Sequence, residues 1–153
     1  MNSDLSSFNP DTFVNVEYEE SIDTTITPIP VGEWSASSNS IKFRKINTKD
    51  GERAVMDVTW ELLEEGVRKE TGLDHPTCRQ TVFLDLNDAG GLDMSKGKNR
   101  QLGLLREALG QNSNARWSPG MIEGQMATVT VVHNADREDP EIIYSNIKKV
   151  TKA

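Results

Sequence analysis

The stretch "DLNDAGGLDMSKGKN", Asp85 to Asn99, gathers acids, glycines and lysines as ion-binding loops do. A calcium loop of the D-x-[DN]-x-[DN]-G type needs oxygen ligands at alternate early positions, a glycine at the sixth and a bidentate carboxylate at the twelfth. Counted from Asp85, Asn87 and Gly90 fit that pattern. Ala89 offers no ligand at the fifth position, and Lys96 puts a cation where the twelfth carboxylate belongs. A phosphate-binding loop needs G-x-x-x-x-G-K-[ST]. Gly97-Lys98 is present, but Leu92 stands at the first glycine and Asn99 replaces the magnesium-binding hydroxyl. The stretch therefore reads as a strand-to-helix connection. Gly90 and Gly91 permit the turn, and Ser95 is expected to cap the helix start. Lys96, Lys98 and Arg100 then gather beside that start. This opposes the helix dipole and suits a phosphate backbone; an ordinary solvated first turn has the same composition.

Other groups able to do chemistry are few. His75 and His133 have no Cys or His at metal-ligand spacing. Cys78, the sole cysteine, lacks the flanks of a nucleophile and reads as a small buried hydrophobe. No helical spacing of acids marks a catalytic dyad. The expectation is a protein that is not an enzyme and uses no cofactor or metal.

Binding to single-stranded nucleic acid needs cations for the backbone and aromatic faces for the bases. Lys42, Arg44, Lys45, Lys49 and Arg53 surround one hairpin. Phe83 alternates with Arg79 and Thr81 on the polar face of a strand. Arg116-Trp117 lies in a Pro/Gly connector, and Tyr144 shares a face with Asn146 and Lys148. With Lys98, these form the candidate set. Each also has a plain alternative. The hairpin cations are a solvated face in any case, Tyr144 could close the core with its hydroxyl at the rim, and Trp34 and Trp60 read as core.

Five strands and one helix must position these residues. The first strand spans about 33–46, with Ile41 and Phe43 opposite Lys42 and Arg44. "NTKDGE" then turns the chain into a hairpin. The second spans about 53–63: Ala54, Met56, Val58, Trp60 and Leu62 alternate with Arg53, Asp57, Thr59 and Glu61. Residues 64–76 read as a long charged loop. The third spans 78–86, with Val82, Leu84 and Leu86 inward. A helix follows on Leu102, Leu105 and Leu109, ended by Gly110 or Asn112. Strands at about 125–133 and 142–150 complete the chain. Three strands, a helix and two strands is the element order of an OB-fold. The expected class is mainly β with one helix, an OB-fold-like five-stranded barrel carrying an acidic N-terminal arm.

Charge divides the chain the same way. Of the net −7, residues 1–30 hold six acids and no Lys or Arg, while the rest has eighteen acids against seventeen bases. Residues 1–27 lack periodic patterning and are expected to be a flexible acidic arm, with 28–153 as the OB-like domain. No apolar run approaches the ~20 residues that span a bilayer. No signal peptide is visible in "MNSDLSSFNPDTF", so a cytoplasmic location without membrane contact is expected.

"PIPVGEW" at the first strand, the strand-helix order, and a last strand reading "YSNIKKV" resemble a family of small phage-encoded proteins. That family includes single-stranded-DNA-binding proteins of replication and recombination modules. The resemblance covers about residues 28–150. It implies strand-face contacts by Lys42, Arg44, Arg53, Phe83 and Tyr144. The chain departs from the pattern in its acids, which come first, whereas its C-terminus "KKVTKA" is basic.

The leading expectation is a sequence-tolerant single-stranded-DNA-binding protein of phage replication or recombination, acting in the host cytoplasm. Its acidic arm would compete weakly for the binding face or recruit replication and recombination proteins. The alternative is a non-catalytic protein-interaction module, an adaptor or small virion component on the same fold. Edge strands leave homodimer formation open.

Overall fold

Alternation in "AVMDVTWEL" acts as a two-residue period dictates. Met56, Val58, Trp60 and Leu62 are fully buried on one face of the strand that contains them. A computed structural model describes residues 5–25 and 27–153 of the chain. It holds five strands: β1 (Gly32–Thr48), β2 (Gly51–Leu62), β3 (Thr77–Leu84), β4 (Met126–Ala135) and β5 (Ile143–Lys152). All pairings are antiparallel, in the order β3-β2-β1-β4-β5.

β1 is long because it serves two partners. Gly32–Ser37 pair with β4, and Ala36–Thr48 pair with β2. A register shift between Ser38 and Ser40 bends the strand where it changes partner. Ser38 is fully buried there, and its hydroxyl donates to the Ile122 carbonyl at 2.5 Å and accepts from the Gln125 amide at 2.8 Å. Those bonds tie the bend to a 3₁₀ turn, Pro119–Ile122. At the start of β1, Trp34 donates to the Pro30 carbonyl at 2.8 Å and lays its ring over Gly32. A Cβ at Gly32 would lie 2.7 Å from that ring, so only glycine fits.

The inner faces of the sheet meet in one core with helix α3 (Arg100–Ala108), which buries Leu102 and Leu105. Trp60 places its indole N–H 2.9 Å from Gln80 Oε1, so the largest core side chain leaves no orphaned donor. Cys78 is buried, as its neighbours in the strand require.

The expected closed barrel is corrected to an open sheet, since no ladder joins β3 to β5 among the described residues. The physical reason lies in the β3 edge. Gln101 of α3 accepts from the Phe83 amide at 3.1 Å and donates to the Thr81 carbonyl at 3.0 Å. A side chain thus satisfies backbone groups that a fifth pairing would use. β5 still lies alongside, with the Cys78 thiol 3.4 Å from the Ser145 carbonyl.

The single expected helix is also corrected. Residues 64–76 contain α2 (Glu65–Thr71), ended by Gly72 in a left-handed conformation. With Val67 its only buried residue, no apolar period announced it. Leu86, expected inward, is exposed because β3 stops at Leu84 and Leu86 only bridges to Leu92. Within the acidic arm, residues 1–4 and 26 lie outside the described residues. Residues 5–25 are exposed throughout and include one helical turn, α1 (Pro10–Phe13), capped by the Asn9 side chain. Among the described residues, no helix is long and apolar enough to cross a membrane.

Candidate nucleic-acid interface

Residues directly opposite in an antiparallel pair share a face, so register alone assembles the outer surface. Lys42, Asp57 and Thr81 form one row across β1, β2 and β3. Arg44, Val55 and Phe83 form the next, and Ile46 and Arg53 the row beyond. Thr59 and Arg79 continue the same face in the other direction. Five of the expected residues, Lys42, Arg44, Arg53, Arg79 and Phe83, are thereby brought together.

Asp57 organises this surface. Its Oδ2 accepts from Arg44 Nε at 2.5 Å and its Oδ1 from the Thr81 hydroxyl at 2.8 Å. Burial acts to raise its pKa. The Arg44 and Thr81 hydrogen bonds, with the charges of Arg44 and Arg79, outweigh that and hold the carboxyl below its ordinary range. Arg53 makes two contacts: an ion pair with Asp85 at 3.3 Å and a stack over the Phe83 ring at 5.3 Å. Val55 lies between Arg44 and Phe83, fully covered. Lys42 and Arg79 form no ion pair among the described residues.

Phe83 stays 41% exposed. A cation over an exposed ring is worth about 0.5–1 kcal/mol, and a stacked base about 1–3. The ring contact is thus weaker than a stacked base would be, while the ion pair with Asp85 holds the Arg53 guanidinium independently of it.

Tyr144 lies across the gap between the β3 and β5 edges. Arg79, Thr81, Tyr144 and Asn146 line the cleft there, about 500 Å³ in volume. The Tyr144 hydroxyl donates to Asp136 Oδ2 at 2.9 Å, which fixes the ring and raises the phenol's pKa. The ring itself is half exposed. It does not close the core.

The remaining candidates fall elsewhere. Lys45 pairs with Ala54 on the opposite face and approaches Glu52 at 4.0 Å. Lys49 is exposed in the two-residue hairpin loop. Lys98 is exposed beside Arg53, Asp85 and Asp93, at the margin of the strand face. Arg116 is exposed in the connector. Trp117 is half-buried: Arg106 lies 4.1 Å over its ring and Gln111 accepts its indole N–H at 3.0 Å. A largely desolvated cation–π contact is worth about 2 kcal/mol, so the expected stacking role of Trp117 is corrected to packing. Lys148 is corrected too. A register shift between Thr130 and Val131 makes it the extra residue of a bulge, and Lys149 takes the place opposite Thr130.

The Asp85–Asn99 stretch closes on itself. Asp85 and Asn99 exchange reciprocal bonds of 2.8 Å, and Asn99 Nδ2 also donates to the carbonyls of Asp85 and Asp93 at 2.9 and 3.0 Å. Ser95 bonds Asp93 instead of capping α3, whose N-cap is Asn99. The loop holds Asp85, and through it Arg53, at the end of β3. Asp57 and Val55 were not anticipated as site residues. Their signal was a carboxylate and an apolar residue within a strand face otherwise cationic and polar.

His75 Nδ1 lies 3.4 Å from a Glu61 carboxylate oxygen, and His133 Nε2 shares a hydrogen bond with the Ile29 carbonyl. No protein-family model matches the sequence, and no curated protein is significantly similar to it.

Proposed function

We propose that the protein binds single-stranded DNA with little sequence preference along the outer face of β1, β2 and β3. The carrying observation is a pair of exposed rings beside cations: Phe83 in one row with Arg44 and next to Arg53, and Tyr144 in the cleft with Arg79, while Lys42 lies on the same strand face. Rings supply stacking for any base, and the cations follow the backbone. The sheet order supports an OB-like reading of the fold. β5 lies beside β3 without a ladder, which is compatible with an open OB-like arrangement, and the OB fold binds nucleic acid on its β2–β3 face. The resemblance of its strand motifs favours a role in phage replication or recombination.

Fluorescence anisotropy of labelled oligo-dT tests the proposal. Binding at low salt should weaken linearly in log K against log salt as phosphate contacts are lost. RNA and duplex DNA titrations rank the preference. Folded protein that leaves the oligonucleotide free at low salt refutes it.

A second reading, a protein-interaction module, draws on the carboxylates. Asp57 and Asp85 neutralise two of the four cations on the face, and the body has no strong basic excess. Failure of the low-salt titration favours that reading.

A further inference from the structure

A second surface lies between α3 and β5 and adjoins the Tyr144 cleft, with Gln80 and Ile147 common to both. This groove of about 410 Å³ is floored by Leu104, Ala108, Ile147 and Val150. Lys148, Lys149 and Lys152 rim its β5 side, and Glu107 stands on the helix side. None of the three lysines forms an ion pair among the described residues. Leu104 is 48% exposed, an apolar floor without a cover.

The arm carries the complementary chemistry. Phe8 and Phe13 meet edge to face, ring centres 5.3 Å apart, yet each ring is half exposed. The Asn9 cap and the turn of α1 hold the pair in place. Glu17, Glu19 and Glu20 follow directly. A preformed aromatic pair exposed to water calls for a partner, and the acids behind it match the lysine rim.

We propose that the segment Leu5–Glu20 of one copy docks into the α3–β5 groove of a second copy. The two phenyl rings cover Leu104 and Ile147, and the acids face Lys148, Lys149 and Lys152. A second copy is the occupant because residues 5–25 are exposed throughout, so the arm's rings and acids are presented to another molecule. Each docking leaves one arm and one groove unused, which either close reciprocally into a dimer or take up further copies. This surface takes Lys148 out of the strand-face set. It involves no residue of β1 or β2.

Sedimentation velocity of the full chain, without nucleic acid, tests this. The average mass should rise with protein concentration at low salt and fall back toward the monomer at high salt. Replacing both rings, Phe8→Ala with Phe13→Ala, should weaken association about tenfold or more. Lys148→Glu with Lys149→Glu should do the same, and adding Glu19→Lys with Glu20→Lys should restore it. A synthetic peptide of residues 5–20, titrated into the full chain, should shift amide resonances at residues 104–108 and 147–152. A monomer at all concentrations overturns the proposal. So does association that ignores the ring replacements, or a monomer whose own arm fills the groove. Since no oligonucleotide is present, failure here leaves the strand-face reading intact, and failure of oligo-dT binding leaves this one intact.

Discussion

Asn in place of Asp57 separates the two tasks of the strand face, holding Arg44 and presenting it. The amide keeps the volume and an acceptor for the Thr81 hydroxyl, now 2.8 Å from Oδ1. It loses the charge that binds Arg44 at 2.5 Å. The Arg44 side chain is already 44% exposed, so the freed guanidinium can turn to solvent without disturbing the core. Each cation that gains a phosphate steepens the dependence of log K on log salt by about 0.7 for a single strand. Arg79 also feels the Asp57 charge, so the upper bound is about twice that. With one cation released, a fourfold rise in salt costs the variant about 2.6-fold more affinity than the parent. At low salt Asp57→Asn binds oligo-dT more tightly. The assay is anisotropy at several salt concentrations, with circular dichroism to show an intact fold. An unchanged or shallower slope in folded protein would refute the idea that Asp57 restrains a phosphate-binding arginine.

Phe83→Ala and Tyr144→Ala should each weaken oligo-dT binding between about 5- and 150-fold, the range for one stacked base, and leave the melting temperature nearly unchanged. The depressed pKa of Asp57 gives stability that is present above the unfolded carboxyl's 3.8 and lost as pH falls through the folded value. Acid unfolding followed by tryptophan fluorescence should therefore start at higher pH for the parent than a curve for Asp57→Asn scaled to equal neutral stability. Burial raises the Cys78 thiol from 9.0 to about 11. At pH 8 iodoacetamide should modify it about a hundredfold more slowly in native than in urea-unfolded protein, on thiolate fraction alone. Asn99→Ala removes the side-chain bonds to Asp85 and Asp93 and leaves alanine at φ 53°; it should cost about 2–3 kcal/mol in urea unfolding, and Asn99→Gly, free of that strain, should cost less.

How far the fold could be read depended on whether a residue's neighbours were local. β2 was legible because its inner face alternates without interruption from Ala54 to Leu62. β1 was placed, but its double pairing was not, because the bend at Ser38 is held by Ile122 and Gln125, more than eighty positions away. α2 escaped notice because one buried valine makes no period. The site shows the same division. Lys42, Arg44 and Phe83 could be assigned to one face by counting. Lys148 could not, since one extra residue in β5 reverses every position before it. Asp57 gave no hint that it would hold Arg44, because the pairing register that joins them is a property of two strands.

The glutamine that bonds the outer edge of β3 has a consequence for solution behaviour. Unpaired strand margins recruit strands from neighbouring molecules, the route to fibrils and swapped dimers. At Thr81 and Phe83 that route is plugged by a side chain from within the same molecule. Removing the plug with Gln101→Ala would bare two backbone groups beside an exposed phenyl ring, and the protein would then be prone to irregular sheet growth between molecules.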